Sequence, residues 1–129
     1  MSEIISVINN LSSFYSTGSL HYKRILEAEK QLGLSFNKYY CQYVKNYGSI
    51  SCKGHELTGI CKAKRLNVVD VTIRNRAVFN DIPDGWYVIE EAHIDGIVIW
   101  QSSNGSVYQT MPGYKPEKIA NSLAEYISM

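Results

Sequence analysis

The chain has 129 residues, 45% hydrophobic and 19% charged, a balance that suits one folded domain and excludes long disorder. Its 13 basic and 12 acidic residues leave a formal net charge of +1, which argues against a general nucleic-acid binder, since that needs a clear basic excess. Cys41, Cys52 and Cys61 are odd in number and share no repeated spacing, as expected of free thiols in a reducing compartment. No stretch approaches the ~20 apolar residues of a membrane span, and an acid stands where a secretory leader carries basic charge. The expectation is a cytoplasmic protein with no direct nucleic-acid or membrane partner.

Residues 3–11 place Ile4, Ile5, Val7, Ile8 and Leu11 at helical spacing, with Ser2 as N-cap. Residues 12–19 collect Ser, Thr and Gly and predict a loop. Beyond His21, the residues Tyr22, Ile25, Leu26, Ala28 and Leu32 form one helical stripe, stopped by Gly33. Asn37 is placed to cap the next helix. Tyr40, Tyr43, Val44 and Tyr47 share one face of it, and Gly48 ends it. Residues 49–60, with two glycines and little helical pattern, predict a short hairpin or two edge strands.

Residues 67–79 read two ways. Val69, Val71 and Ile73 alternate with Asp70, Thr72 and Arg74, which is strand periodicity; Asn67 can also cap a helix with Val69, Ile73, Arg76 and Ala77 on one face. Local rules lean toward strand. A loop at 81–85 leads into the most strongly patterned segment, residues 86–110. Three runs rich in β-branched and aromatic residues are punctuated there by Asp95-Gly96 and Asn104-Gly105, dipeptides that favour positive φ at tight turns. An antiparallel meander is predicted. Pro116 suits a first helical turn, and Ile119, Ala120, Leu123, Ala124 and Ile127 then make the stripe of a C-terminal helix. Helices and strands do not alternate regularly, so the expected class is α+β: a central antiparallel meander with helices packed against it, in a single domain over residues 1–129.

Chemistry-bearing residues form no catalytic pattern. Cys52 and His55 are close in sequence, but a nucleophilic cysteine needs a base in space and a lowered pKa; a small buried cysteine near a loop histidine is the simpler reading. His21, His55 and His93 are far apart and give no paired-ligand spacing with the cysteines, so no zinc site is expected. Glu90 and Glu91 are adjacent on a predicted strand and point to opposite faces, which makes them a poor acid–base pair. Lys62, Lys64 and Arg65 read as an ordinary exposed basic run. Tyrosine is in excess at 10 residues. Its apolar body and polar tip suit binding hot spots, and Tyr39 lies off the buried stripe. Trp100 and Tyr108 lie on neighbouring runs and are placed to share one sheet face, which is either core or docking surface.

Several segments together resemble the SUKH superfamily, whose founding members are the Smi/Knr cell-wall-assembly regulators of fungi. Residues 25–48 carry the family's opening through Glu29, Leu32, Gly33, Tyr40 and Tyr47-Gly48. Residues 67–76 are similar to its Val-x-x-Thr-x-x-x-Arg element through Val69, Thr72 and Arg76; that element is a helix in the family, so the resemblance overrides the local strand reading. W-Y-V-I-E, the following D-G, S-S-x-G-x-V-Y and the closing S-L-A-E-Y-I complete the match. Asn37 stands where the family usually has proline, and it can cap the same helix.

The resemblance implies a binding module; an enzyme is the last of three readings, because no constellation of nucleophile, base and stabilising donors emerges, and no cofactor or metal is expected. A short chain of this kind resembles the bacterial immunity type, in which each protein neutralises a cognate toxin, often a nuclease or deaminase, by direct binding. The alternative is an intracellular regulatory scaffold of the Smi/Knr type. The expected partner is a protein toxin blocked by steric occlusion, with the chain itself a monomer or weak dimer. The candidate contact set is Asp81, Asp84, Glu90, Glu91, Asp95, Trp100 and Tyr108, because acids around an aromatic meander suit a basic nuclease.

Overall fold

The computed structural model describes residues 3–129, so the expected cap Ser2 lies outside the described residues. Helix α1 (Glu3–Asn9) buries Ile4 and Ile8. Helix α2 (Tyr22–Leu32) buries Ile25, Ala28 and Leu32, while Tyr22 and Leu26, expected on the same stripe, remain exposed. Gly33 ends it at φ 69°, a left-handed position that glycine reaches without a Cβ penalty. In α3 (Lys38–Tyr47) the Asn37 side chain accepts from the Tyr39 N–H at 3.1 Å, and Tyr40, Tyr43 and Val44 face the core, as the spacing predicts.

The expected hairpin is present as β2 (Ile50–Cys52) and β3 (His55–Glu56), turning through Lys53 and Gly54 at φ 47° and 80°. The predicted loop at 12–19 also contributes a strand, β1 (Tyr15–Ser16), which pairs with β2. Two residues are too few to show a period in sequence.

Asn67 caps α4 (Val68–Val78), its side chain accepting from the Val69 N–H at 3.0 Å. The family resemblance is right here and the local strand reading is wrong. The buried face is Val68, Val71, Thr72 and Asn75, a helical spacing half made of polar residues, which is why apolar periodicity hid it. Each polar member has a partner: Thr72 Oγ1 accepts from the Val88 N–H at 3.0 Å, and Asn75 Nδ2 donates to the Val71 carbonyl and to Glu91. Of the face expected from sequence, Ile73 and Ala77 point to solvent.

The meander forms β4 (Tyr87–Glu91), β5 (Val98–Gln101) and β6 (Val107–Thr110) in chain order. Asp95 and Gly96 both take positive φ, 54° and 69°, and the Ile97 N–H closes the turn on the Ile94 carbonyl. At the second turn only Gly105 is left-handed, φ 101°, which matches a three-residue loop with the glycine in the αL position.

The C-terminal expectation needs correction. Residues 117–120 are a fourth strand, β7 (Glu117–Ala120), paired with β6, and the helix is only α5 (Leu123–Ile127). Ser122 caps it, accepting from the Glu125 N–H at 3.0 Å. Pro116 therefore precedes an edge strand rather than opening a helix. The class is α+β: among the described residues, two antiparallel sheets, of three and four strands, with helices packed on them. An antiparallel bridge between Leu57 and Glu90 ties the two sheets, supported by Thr58 N–H donating to the Ile89 carbonyl at 2.8 Å. The larger core gathers α1, α2, α3 and α5 over Tyr87, Ile89, Ile99 and Val107; a smaller one beneath α4 holds Val71, Val88, Val98 and Trp100.

Candidate functional site

Buried polar groups between these layers hold the scaffold. The Tyr87 hydroxyl accepts from the Asn37 N–H at 3.0 Å and donates to Gln101 Oε1 at 2.7 Å; Gln101 Nε2 in turn donates to the Gly105 carbonyl. Tyr43 donates to the Thr58 carbonyl at 2.8 Å and accepts from the Ile50 N–H, and Tyr40 shares a 2.9 Å bond with the Thr58 hydroxyl. Burial pushes the hydroxyls of Tyr40, Tyr43 and Tyr87 well above the ordinary tyrosine value, so they stay protonated. The tyrosines of α3 thus act as crossbeams, and Tyr39, exposed beneath the Lys38 ammonium 5.0 Å from its ring centre, is the one turned outward.

Glu90 belongs to this interior. It is 4% exposed, accepts from the Glu56 N–H and from Tyr126, and lies 2.8 Å from His55 Nδ1. Glu91, on the opposite face as expected, is bound by Arg74 at 2.7 Å and Asn75 at 2.9 Å. Neither carboxylate has an acid–base partner of its own kind. Cys52 is buried opposite His55 in the hairpin register, and its thiol is pushed up by burial, then by the Glu90 carboxylate, with Lys53 acting the other way. A nucleophilic thiol needs the opposite shift. Among the described residues no group of three or more His, Cys, Asp or Glu side chains is arranged to hold a metal ion, and no helix is long and apolar enough to cross a membrane.

The α4 side of the meander has a different character. Val88, Trp100 and Tyr108 stand in one row across β4, β5 and β6, followed by Lys118 of β7. Trp100 shares the sheet face with Tyr108 as expected, yet it has no exposed surface. It lies under α4 with Phe79 edge-on at 6.2 Å, and its indole N–H donates to Thr110 at 2.8 Å. Trp100 and Glu90 therefore leave the candidate contact set, because neither offers surface to a partner. Tyr108 is half-buried and stacks on Trp86 at 4.0 Å and 14°. Asp81, Asp84 and Asp95 are exposed and, among the described residues, engaged in no ion pair. Glu91 stays half-buried in its Arg74 pair.

Two clefts open beside these residues. One, of about 230 Å³, lies between Asn75, Glu91, His93, Gly96 and Pro112; the other, of about 490 Å³, lies between Asn80, Asp81, Met111, Tyr114 and Lys115. They share Val78, Phe79 and Pro112. Gly96 lines the first of them at φ 69°, and a Cβ there would sit 3.0 Å from Cδ of the shared Pro112. Val78, Ile94 and Tyr114 project at 64%, 61% and 70% exposure. Sequence reasoning missed all three. For Ile94 and Tyr114 the available signal was a large apolar residue inside turn-forming sequence, H-I-D-G and P-G-Y-K-P; Val78, the last residue of α4, gave none. The basic run divides: Arg65 is bound twice by Glu56, and Lys62 lines a separate cleft beside Arg24 and Cys61.

The residues that carried the family resemblance have structural tasks. Glu29 accepts from the Phe36 N–H at 2.8 Å, Thr72 receives the β4 backbone, and Arg76 donates to the carbonyls of Leu32 and Asp84. No curated protein matches the chain. The family model described as SMI1-KNR4 cell-wall, SUKH_6, matches residues 22–127, from the first turn of α2 to the end of α5. With most of its length matched in this way, the chain belongs to the SUKH family.

Proposed function

We propose that this chain is a non-catalytic immunity protein, which binds a cognate toxin domain and blocks its active site or substrate groove by occlusion. The observation that carries the reading is the contrast between its two polar populations. Interior polar groups are spent on internal bonds, whereas Asp81, Asp84 and Asp95 stand exposed and, among the described residues, outside any ion pair, with Val78, Ile94 and Tyr114 also facing solvent. Family membership supports the same reading. The contact set becomes Asp81, Asp84, Glu91, Asp95 and Tyr108. Carboxylates so placed favour a basic partner such as a nuclease, chiefly through encounter rate and orientation. A standard interface takes about 800 Å² per partner, a modest share of the 7043 Å² surface.

Co-expression with the toxin domain encoded beside its gene is the test. Cell survival and co-elution of a stoichiometric complex are expected. Cell death with no complex on a sizing column rules the proposal out, and a pull-down that returns several partners and no toxin supports the regulatory scaffold instead.

A further inference from the structure

The exposed apolar residues around the two joined clefts have no task in the fold. Val78 ends α4 and Tyr114 tips the loop between β6 and β7, both lining the cleft at Pro112, and Ile94 projects from the β4–β5 turn between His93 and Gly96, which line the other cleft, so three separate elements present apolar side chains outward. The turn backbone is also costly: His93 and Asp95 both take left-handed φ, 58° and 54°, which hold Ile94 outward between them. The unpaired charges lean acidic: Arg74 cancels Glu91, Asp81 lines the groove, and Asp95 stands exposed in the turn between the lining residues His93 and Gly96, against the lining lysine Lys115.

We infer that this continuous groove between the end of α4, the β4–β5 turn and the β6–β7 loop seats a cationic amphipathic segment of a protein partner. Apolar side chains of that segment pack on Val78, Ile94 and Tyr114, and its Lys or Arg groups reach Asp81 and Asp95. The groove rests on the toxin-binding reading for its biological partner, and its chemistry is testable apart from that partner. Tyr114 is the anchor, since a tyrosine combines large contact area with a polar tip.

The probe is a fluorescent peptide alternating Lys and Leu, compared with one alternating Glu and Leu. The Lys peptide binds the intact chain, and its affinity falls as salt rises. Tyr114→Ala and Ile94→Ser each weaken it by about tenfold, and the double variant Asp81→Asn with Asp95→Asn weakens it by about fivefold. All four positions are exposed, so these variants fold. Equal binding of the two peptides, no binding of either, or unchanged affinity in the variants overturns the inference. With the toxin domain, a complex that forms but ignores Tyr114→Ala and Ile94→Ser removes the groove and leaves the immunity reading standing. Binding of the Lys peptide at the groove by a chain that captures no toxin keeps the groove and removes that reading.

Discussion

The His55 and Tyr126 rings sit 5.2 Å apart, edge to face, because both side chains converge on the same oxygen of Glu90. That oxygen joins β3, β4 and α5, and the other Glu90 oxygen holds the Glu56 N–H at 2.6 Å. Replacing Glu90 with leucine strands the Tyr126 hydroxyl and the Glu56 amide. A loss of about 2–4 kcal/mol is expected, with Glu90→Gln costing less because an amide keeps part of the network. Urea unfolding of the two variants checks this; equal midpoints for Glu90→Leu and the parent would show that the junction holds nothing.

Among the glycines, Gly59 has the least room for a Cβ. A Cβ built there falls 1.8 Å from the Gly48 carbonyl oxygen, backbone against backbone, while the Gly59 N–H and carbonyl bind Leu66 and Val68. No flexible side chain can move aside. Gly59→Ala is expected to cost about 3 kcal/mol or more, at the upper end for overpacking. Gly85→Ala, with open space around its Cβ and no left-handed φ, serves as the control and stays close to the parent. Thermal melts of the pair decide; similar melting temperatures contradict the close approach.

The fates of three segments show what was legible in sequence. The meander was readable because its turns depend on local chemistry, Asp95-Gly96 and Gly105, and its strands alternate between two cores. Helix α4 was not readable locally, since Thr72 and Asn75 face inward to serve β4, and only the tertiary partners show why. Strand β7 was lost for a related reason: Ile119, Ala120, Leu123, Ala124 and Ile127 fit one helical stripe, though the first two belong to a strand and the rest to α5. Ser122 and Glu125 held the better signal, a cap with an acid three residues on. At the candidate site the acids were legible as charge. The burial of Trp100 and Glu90 was not, because strand alternation gives faces without saying which face a helix covers.

Burial, followed by the nearby Glu29 carboxylate, pushes the Cys41 thiol from its ordinary value of 9.0 up to about 11. The folded chain therefore keeps this proton where the unfolded chain loses it. The stability tied to it is fully present below pH 9 and drains away as pH rises from 9 to about 11. Cys41 should alkylate slowly with iodoacetamide at pH 8, roughly a hundredfold below an unshifted thiol in thiolate fraction, and reach an ordinary rate only on denaturation. Peptide mass spectrometry over a pH series measures it; rapid native-state labelling of Cys41 at pH 8 contradicts the burial argument.

The two tryptophans give a direct optical reading of the α4 face. Trp100 has no exposed surface and donates to Thr110, whereas Trp86 is half-buried and stacked on Tyr108 at 4.0 Å. Acrylamide needs collisional access to an indole, so it should quench the Trp86 emission and leave that of Trp100 largely untouched. A Stern–Volmer plot for the parent then curves toward a plateau, and Trp86→Phe removes the quenchable component while the remaining emission stays blue-shifted. Removing Trp86 takes away half of a surface stack, and a loss of about 0.5–1.5 kcal/mol is expected, small enough to keep the fold. A partner seated beside Asp84 and Tyr108 would shield the accessible indole and lower its quenching constant without affecting Trp100. Linear quenching of both indoles alike would mean that Trp100 is open to solvent and that α4 does not cover the sheet.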